Sequence, residues 1–134
     1  LQALRVFSLL PVKDRPRGLL DAGKTLLTFW KRRKEHKPYL FGQGKKFKNS
    51  KPPYFWYDAM AVLDTLSRYP SLHNIDAFSE LTRVLIDALG PDGKIVPKSV
   101  YRYFKGWSFG QKKEWSPWAT MYLCRIFKRI TSKD

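Results

Sequence analysis

Three groups of side chains in this 134-residue chain have types and spacings that could do chemistry. The first is Asp58, which follows Trp56 and Tyr57 at the head of an apolar run. A carboxylate facing a cavity among apolar neighbours has a raised pKa and is a site candidate. A carboxylate in a first helical turn instead meets the positive end of the helix. The second group is aromatic: Trp107, Phe109, Trp115 and Trp118, with Tyr101, Tyr103 and Tyr122 nearby in sequence. Such rings line pockets for apolar ligands, and they also dominate ordinary cores. Trp56, Tyr57, Asp58, Trp107, Phe109, Trp118 and Tyr122 are accordingly the cavity-lining candidates. The third group lies between Lys31 and Lys51, where basic residues interleave with Tyr39, Phe41 and Phe47. Arg32, Arg33, Lys45, Lys46, Lys48 and Lys51 are the anion-binding candidates. Cations alternating with stacking platforms suit a single-strand groove or an anionic phosphate tail at a cavity mouth. The same pattern fits a solvated loop whose rings fold back on the core.

Other chemistries find no residues to carry them. Cys124 is the single cysteine and His36 and His73 are the only histidines, so no zinc-ligand spacing exists and no metal or cofactor is expected. A lone thiol forms no internal disulfide, which points to a reducing compartment and a cytoplasmic setting. Its place beside an apolar stripe predicts a buried thiol. No Walker A, GxGxxG, HExxH or GxSxG pattern occurs. With 26 basic and 11 acidic residues the formal charge is +15, a surplus that suits nucleic acid, an anionic surface or an acidic partner, and equally serves solubility. The 43% apolar content with 16% aromatic residues is that of a globular chain, not a disordered one. No run of about 18 apolar residues is present, so no membrane span is expected.

The elements that must position these groups are helices. Residues 1–10 carry Ala3, Val6, Phe7 and Leu10 on one face, and Pro11 stops them. Having no cap or initiator Met, this stretch reads as the inside of a helix, as in a fragment. Residues 16–33 carry a stripe of Leu19, Ala22, Leu26, Leu27 and Trp30, with a basic end that complements the helix dipole. Residues 35–53 read as a long irregular connection punctuated by proline and glycine. Residues 55–69 repeat Trp56, Ala59, Met60, Leu63 and Leu66, with Ala61 and Val62 widening the arc, so this helix is expected to be buried on more than one side. Residues 76–89, with Asp76 as N-cap, place Phe78, Leu81, Leu85, Ala88 and Leu89 inward before the turn Pro91-Asp92-Gly93. Residues 94–104 read as a short strand or an irregular crossing. Ser116 caps and Pro117 opens the last helix, whose stripe is Ala119, Tyr122, Leu123, Ile126, Phe127 and Ile130. Arg125, Lys128 and Arg129 fall off that stripe and suit the negative helix end.

An all-α chain of about five main helices, in one domain spanning residues 1–134, follows. Its segments LRVFSLLP, LLTFWKRR, KPYLFGQGKKF, PYFWYDAMAVLDTLSRYP, LIDALGPDGKI and SPWATMYLCRIFKR resemble, in this order, the prenyltransferase and squalene-cyclase repeat group, the α/α-toroid proteins. KGWSFGQKKEWSPW resembles a degenerate QW motif through Lys105, Gly106, Phe109, Gln111 and Trp118, departing from it after Gln111. The resemblance implies a partial toroid of paired antiparallel helices around an apolar cavity. It also implies closure by self-association or by an N-terminal domain outside this chain. The group's DxDD acid motif is absent, and Tyr122 stands where an Asp–Cys zinc pair would need its acid. The expectation is therefore a non-catalytic binding module with an aromatic-lined cavity for an isoprenoid-like or other apolar molecule. The alternatives are a basic module for nucleic acid or another polyanion, and a fragment of a class II cyclase-like enzyme.

Overall fold

A helix that is apolar on every side has to be surrounded, and the segment AMAVLDTL is such a helix. In the computed structural model, which describes residues 1–36, 42–107 and 112–132, the α-helices are α1 (Gln2–Phe7), α2 (Leu19–Lys31), α3 (Lys45–Lys48), α4 (Ala59–Leu66), α5 (Asp76–Ile86) and α6 (Pro117–Thr131). Every residue of α4 is buried. It packs against α1, α5 and α6, while α2 lies on α5 and α1. The described residues are all-α, with one isolated antiparallel bridge between Leu89 and Ile95 and no strand.

Among the described residues two helix starts carry side-chain caps. Ser116 Oγ accepts from Ala119 N at 3.1 Å and Pro117 opens α6. Asp58 caps α4 in the same way, so α4 starts at Ala59 and Trp56 lies outside it. The turn after α5 closes through Gly93 N to Gly90 O at 2.9 Å, with Gly93 at φ +73°, a conformation that glycine reaches without a steric penalty. Asp76 does not cap α5: Ile75 holds that position and Asp76 stands in the first turn.

Several predicted faces are displaced. On α1 the buried residue is Leu4, whereas Val6 and Leu10 are exposed. The expected stripe gave way because Arg5 turns toward a carboxylate in the core, which rotates Leu4 inward. On α2 Gly23 is buried at the interface and Ala22 is exposed; the helix approaches so closely there that a Cβ on Gly23 would meet Leu72 Cδ1 at 2.6 Å. The long connection contains α3, and its Phe47 packs beside Trp30 and Tyr57. Residues 94–104 form an irregular crossing that ends in a 3₁₀ turn at Arg102–Phe104. Cys124 is exposed rather than buried.

Candidate functional site

The most chemically loaded surface is built by the turn before α4. Pro52-Pro53 is a cis peptide, and Tyr54 follows with φ +63°, an uncommon conformation for a bulky residue. Tyr54 is buried, its ring 5.5 Å from that of Tyr122. From buried Tyr54 the chain comes to the surface at Phe55 and Trp56, which are 41% and 60% exposed. Gln2 holds the turn from the side by donating Nε2–H to Phe55 O at 3.2 Å. The irregular crossing brings a second set of rings alongside. Phe55 stacks on Tyr101 at 6.1 Å and meets Phe104 edge-on, Trp56 lies 6.0 Å from Tyr101, and Trp107 joins Phe104 at 5.6 Å. Lys51 Nζ sits 5.3 Å from the centre of the Tyr101 ring, within cation–π range.

Below this aromatic run opens a cleft of about 450 Å³, lined by Gly42, Lys46, Phe47, Asn49, Lys51, Trp56, Tyr57, Asp58 and Tyr101. Asp58 forms its inner end. Its Oδ1 accepts from Ala61 N at 2.9 Å and its Oδ2 from Lys51 N at 3.1 Å. Burial pushes its carboxyl up to about 6, and the donors from Ala61 and Lys51 offset part of that rise. The carboxylate is thus committed to fastening the loop to the helix start. Burial also lifts the Tyr101 hydroxyl to about 12, with the Asp58 charge adding to the effect. Tyr57 is fixed from behind by Gln43, whose Nε2–H groups donate to Tyr57 Oη at 2.7 Å and to Leu26 O at 3.1 Å.

The structure distributes the predicted site residues over several places. Trp56, Tyr57 and Asp58 line the cleft, and Trp107 extends the aromatic run beside it. Trp118 and Tyr122 do not join them: their rings pair on α6, 6.1 Å apart, with Tyr122 against Tyr54. Among the described residues the aromatic candidates therefore do not line one common cavity. Phe109 lies outside the described residues, as do Tyr39 and Phe41. Of the basic candidates, Lys46 and Lys51 rim the cleft. Arg33, Lys45 and Lys48 line a neighbouring groove of about 380 Å³ with Lys34 and Gln43. Arg33 also covers the Trp30 ring at 4.0 Å. Arg32 turns away to Glu35 at 3.7 Å.

One constellation escaped sequence reasoning. Asp64, in the middle of α4, has a fully buried side chain. Its Oδ1 accepts from Arg125 Nη2 and Arg129 Nη1, both at 2.9 Å, and its Oδ2 from Arg5 Nη2 at 3.3 Å. Arg129 also donates to the Asp64 carbonyl and to Ser67 Oγ, each at 3.2 Å, and Arg5 to Tyr122 Oη at 3.2 Å. Burial drives the Asp64 carboxyl upward, yet the Arg129 and Arg125 guanidiniums outweigh it and hold the group below the ordinary carboxylate range. The available signal was an acid inside an otherwise apolar helix, together with Arg125 and Arg129 four residues apart on one helix face. Those two arginines serve this buried carboxylate rather than the helix dipole alone.

Among the described residues no cluster of His, Cys, Asp or Glu converges as a metal site, and no helix is long and apolar enough to cross a membrane. No family model, curated protein or solved structure matches the chain. The likeness of its segments to the prenyltransferase and squalene-cyclase repeat group rests on those segments alone.

Proposed function

We propose that the chain binds single-stranded nucleic acid along the aromatic run and the basic rim of the cleft. The observation that carries this reading is the row Trp56, Phe55, Tyr101, Phe104 and Trp107, part exposed and in mutual contact, with Lys51 against one ring and Lys46 across the cleft. Exposed rings offer π-faces on which bases stack, and the lysines track the phosphates. No substrate-activating pair is needed, and Asp58 is engaged in capping. An open cleft with rings at its lip suits a flexible strand better than it suits a small apolar molecule, which is normally engulfed.

The test is fluorescence anisotropy with a labelled oligothymidylate in low salt. Binding is expected, with log affinity falling against log salt at a slope of about −1.4, from roughly two phosphate contacts by Lys46 and Lys51 at ~0.7 each. Trp56→Ala should weaken binding by about tenfold, in keeping with the loss of one stacking platform. Absence of binding at low salt, or binding indifferent to Trp56, overturns the reading. A second reading draws on the apolar floor formed by Phe47, Trp56 and Tyr57: an isoprenoid-like chain in the cleft with its anionic head at Lys46 and Lys51. It predicts thermal stabilisation by a prenyl diphosphate and none by oligothymidylate.

A further inference from the structure

The Asp64 cluster holds more positive charge than its structural task requires. A single guanidinium with good geometry neutralises one buried carboxylate, yet Arg5, Arg125 and Arg129 all converge on Asp64. Arg68, four positions after Asp64 in the turn that leaves α4, adds a fourth guanidinium, its Nε buried. Four cations against one anion leave a local surplus of three charges. Among the described residues no other acid is paired with Arg5, Arg125 or Arg129.

The donor groups are also incompletely used. Each guanidinium has five N–H groups in a fixed fork. The bonds to Asp64, Ser67 and Tyr122 draw on a single terminal nitrogen of each of Arg5, Arg125 and Arg129. The Nε–H groups of Arg68 and Arg125 are buried without a partner among the described residues. Buried unpaired donors are costly, and they are rare in native structures unless something supplies the acceptor. The cluster is nevertheless reachable from outside: the side chains of Arg5, Arg125 and Arg129 keep 27%, 36% and 24% of their surface in solvent. The forks are pre-set on α1, on α6 and in the turn that leaves α4, so an incoming anion would meet an array that already costs little to order. Burial lowers the proton affinity of Arg68, and the charges of Arg129, Arg125 and Arg5 lower it further, with only Asp64 opposing them.

We infer that Arg5, Arg68, Arg125 and Arg129 form a binding site for a phosphomonoester dianion at the surface between α1, α4 and α6. Fork-shaped donors match the oxygens of a phosphoryl group bidentately. A surplus of three charges favours a dianion over chloride or a singly charged phosphodiester. The phosphoryl group can be free inorganic phosphate or the terminal phosphate of a larger molecule, a nucleic-acid strand included. The site does not depend on the reading of the aromatic cleft.

The decisive experiment measures the melting temperature and, by calorimetry, the phosphate affinity of the full chain and of Arg68→Gln. Inorganic phosphate is titrated against sodium chloride at matched ionic strength. The expected result is a saturable, phosphate-specific rise in melting temperature for the native chain. In Arg68→Gln the phosphate affinity falls by about tenfold, as for loss of a charge-assisted bond, while the phosphate-free protein melts no lower, because one repelling cation has gone. A purely structural cluster gives no phosphate-specific rise, or the same rise in both proteins, and either result overturns the inference. The double variant Lys46→Gln/Lys51→Gln separates this site from the cleft. Here it must keep the phosphate response, and loss of that response in it with retention in Arg68→Gln assigns the phosphate to the cleft and overturns the inference. Comparing a 5′-phosphorylated thymidine dinucleotide with its unphosphorylated form identifies the source. A stronger effect of the phosphorylated form than of inorganic phosphate points to a terminal phosphate, and an equal effect to the free anion.

Discussion

Two aspartates six positions apart illustrate how surroundings decide what a carboxylate does. Asp58 is buried against backbone donors, and burial prevails, raising it from 3.8 to about 6. Asp64 is buried among guanidiniums, and they prevail, holding it low. The two acids therefore act on stability in opposite senses. The folded chain keeps the Asp58 proton across the interval between about 4 and about 6, where the unfolded chain has released it, so this residue makes stability fall as pH rises through that interval and leaves it level above. Asp64 contributes stability that is present above its unfolded pKa and lost as pH drops through its lower folded value. A melting-temperature profile from acid to neutral pH should show a maximum between these two slopes, and Asp58→Asn should flatten the limb on its alkaline side. Asp64→Ala should cost about 3 kcal/mol, because it strands several cations around a buried hole, read as a lower denaturation midpoint in urea. Sequence alone marked Asp58 correctly as a residue of the α4 head and left both its placements open. It did not reveal the role of Asp64, because that role is written by partners 59, 61 and 65 positions away.

Helices were the most legible level of this chain. Periodicity located the five main ones, Ser116 and Pro117 marked the start of α6, and the burial of α4 on more than one side was foreseeable from Ala61 and Val62 broadening its apolar arc. What local pattern could not convey was orientation wherever a polar group sets it. The face of α1 follows Arg5, and the face of α2 follows the close approach of Leu72. The short α3 was hidden by its composition, three lysines around one phenylalanine, where only the packing of Phe47 reveals helix. Gly23 offers the sharpest test at this level. Gly23→Val should destabilise by roughly 2 kcal/mol through overpacking against Leu72. Gly18→Ala at the start of the same helix, with nothing within 4 Å of its added Cβ, should change stability by about 0.5 kcal/mol or less. Chemical denaturation of both variants compares them directly.

Over the whole molecule the dominant quantity is the formal charge of +15. Self-repulsion of that size opposes compaction, and salt screens it within about 10 Å at ~0.1 M. Added sodium chloride should therefore raise the melting temperature of the free chain even as it weakens the binding of any polyanion. A melting temperature that falls with salt would show that specific ion pairs outweigh the general repulsion. The candidate site was legible in part at this scale: the lysines and rings of residues 31–51 were visible, but the second half of the aromatic run, Tyr101, Phe104 and Trp107, reaches Phe55 only through the folded crossing. The Asp64 hub has a consequence for how the chain is made. Its guanidiniums come from α1 and α6, on either side of the helix they serve, about 60 residues away in both directions. During synthesis, α4 leaves the ribosome with Arg5 already made and Arg125 and Arg129 still to be translated. A nascent chain halted before α6 holds an acid that it cannot yet bury cheaply, so its middle should stay open to protease until the final helix arrives.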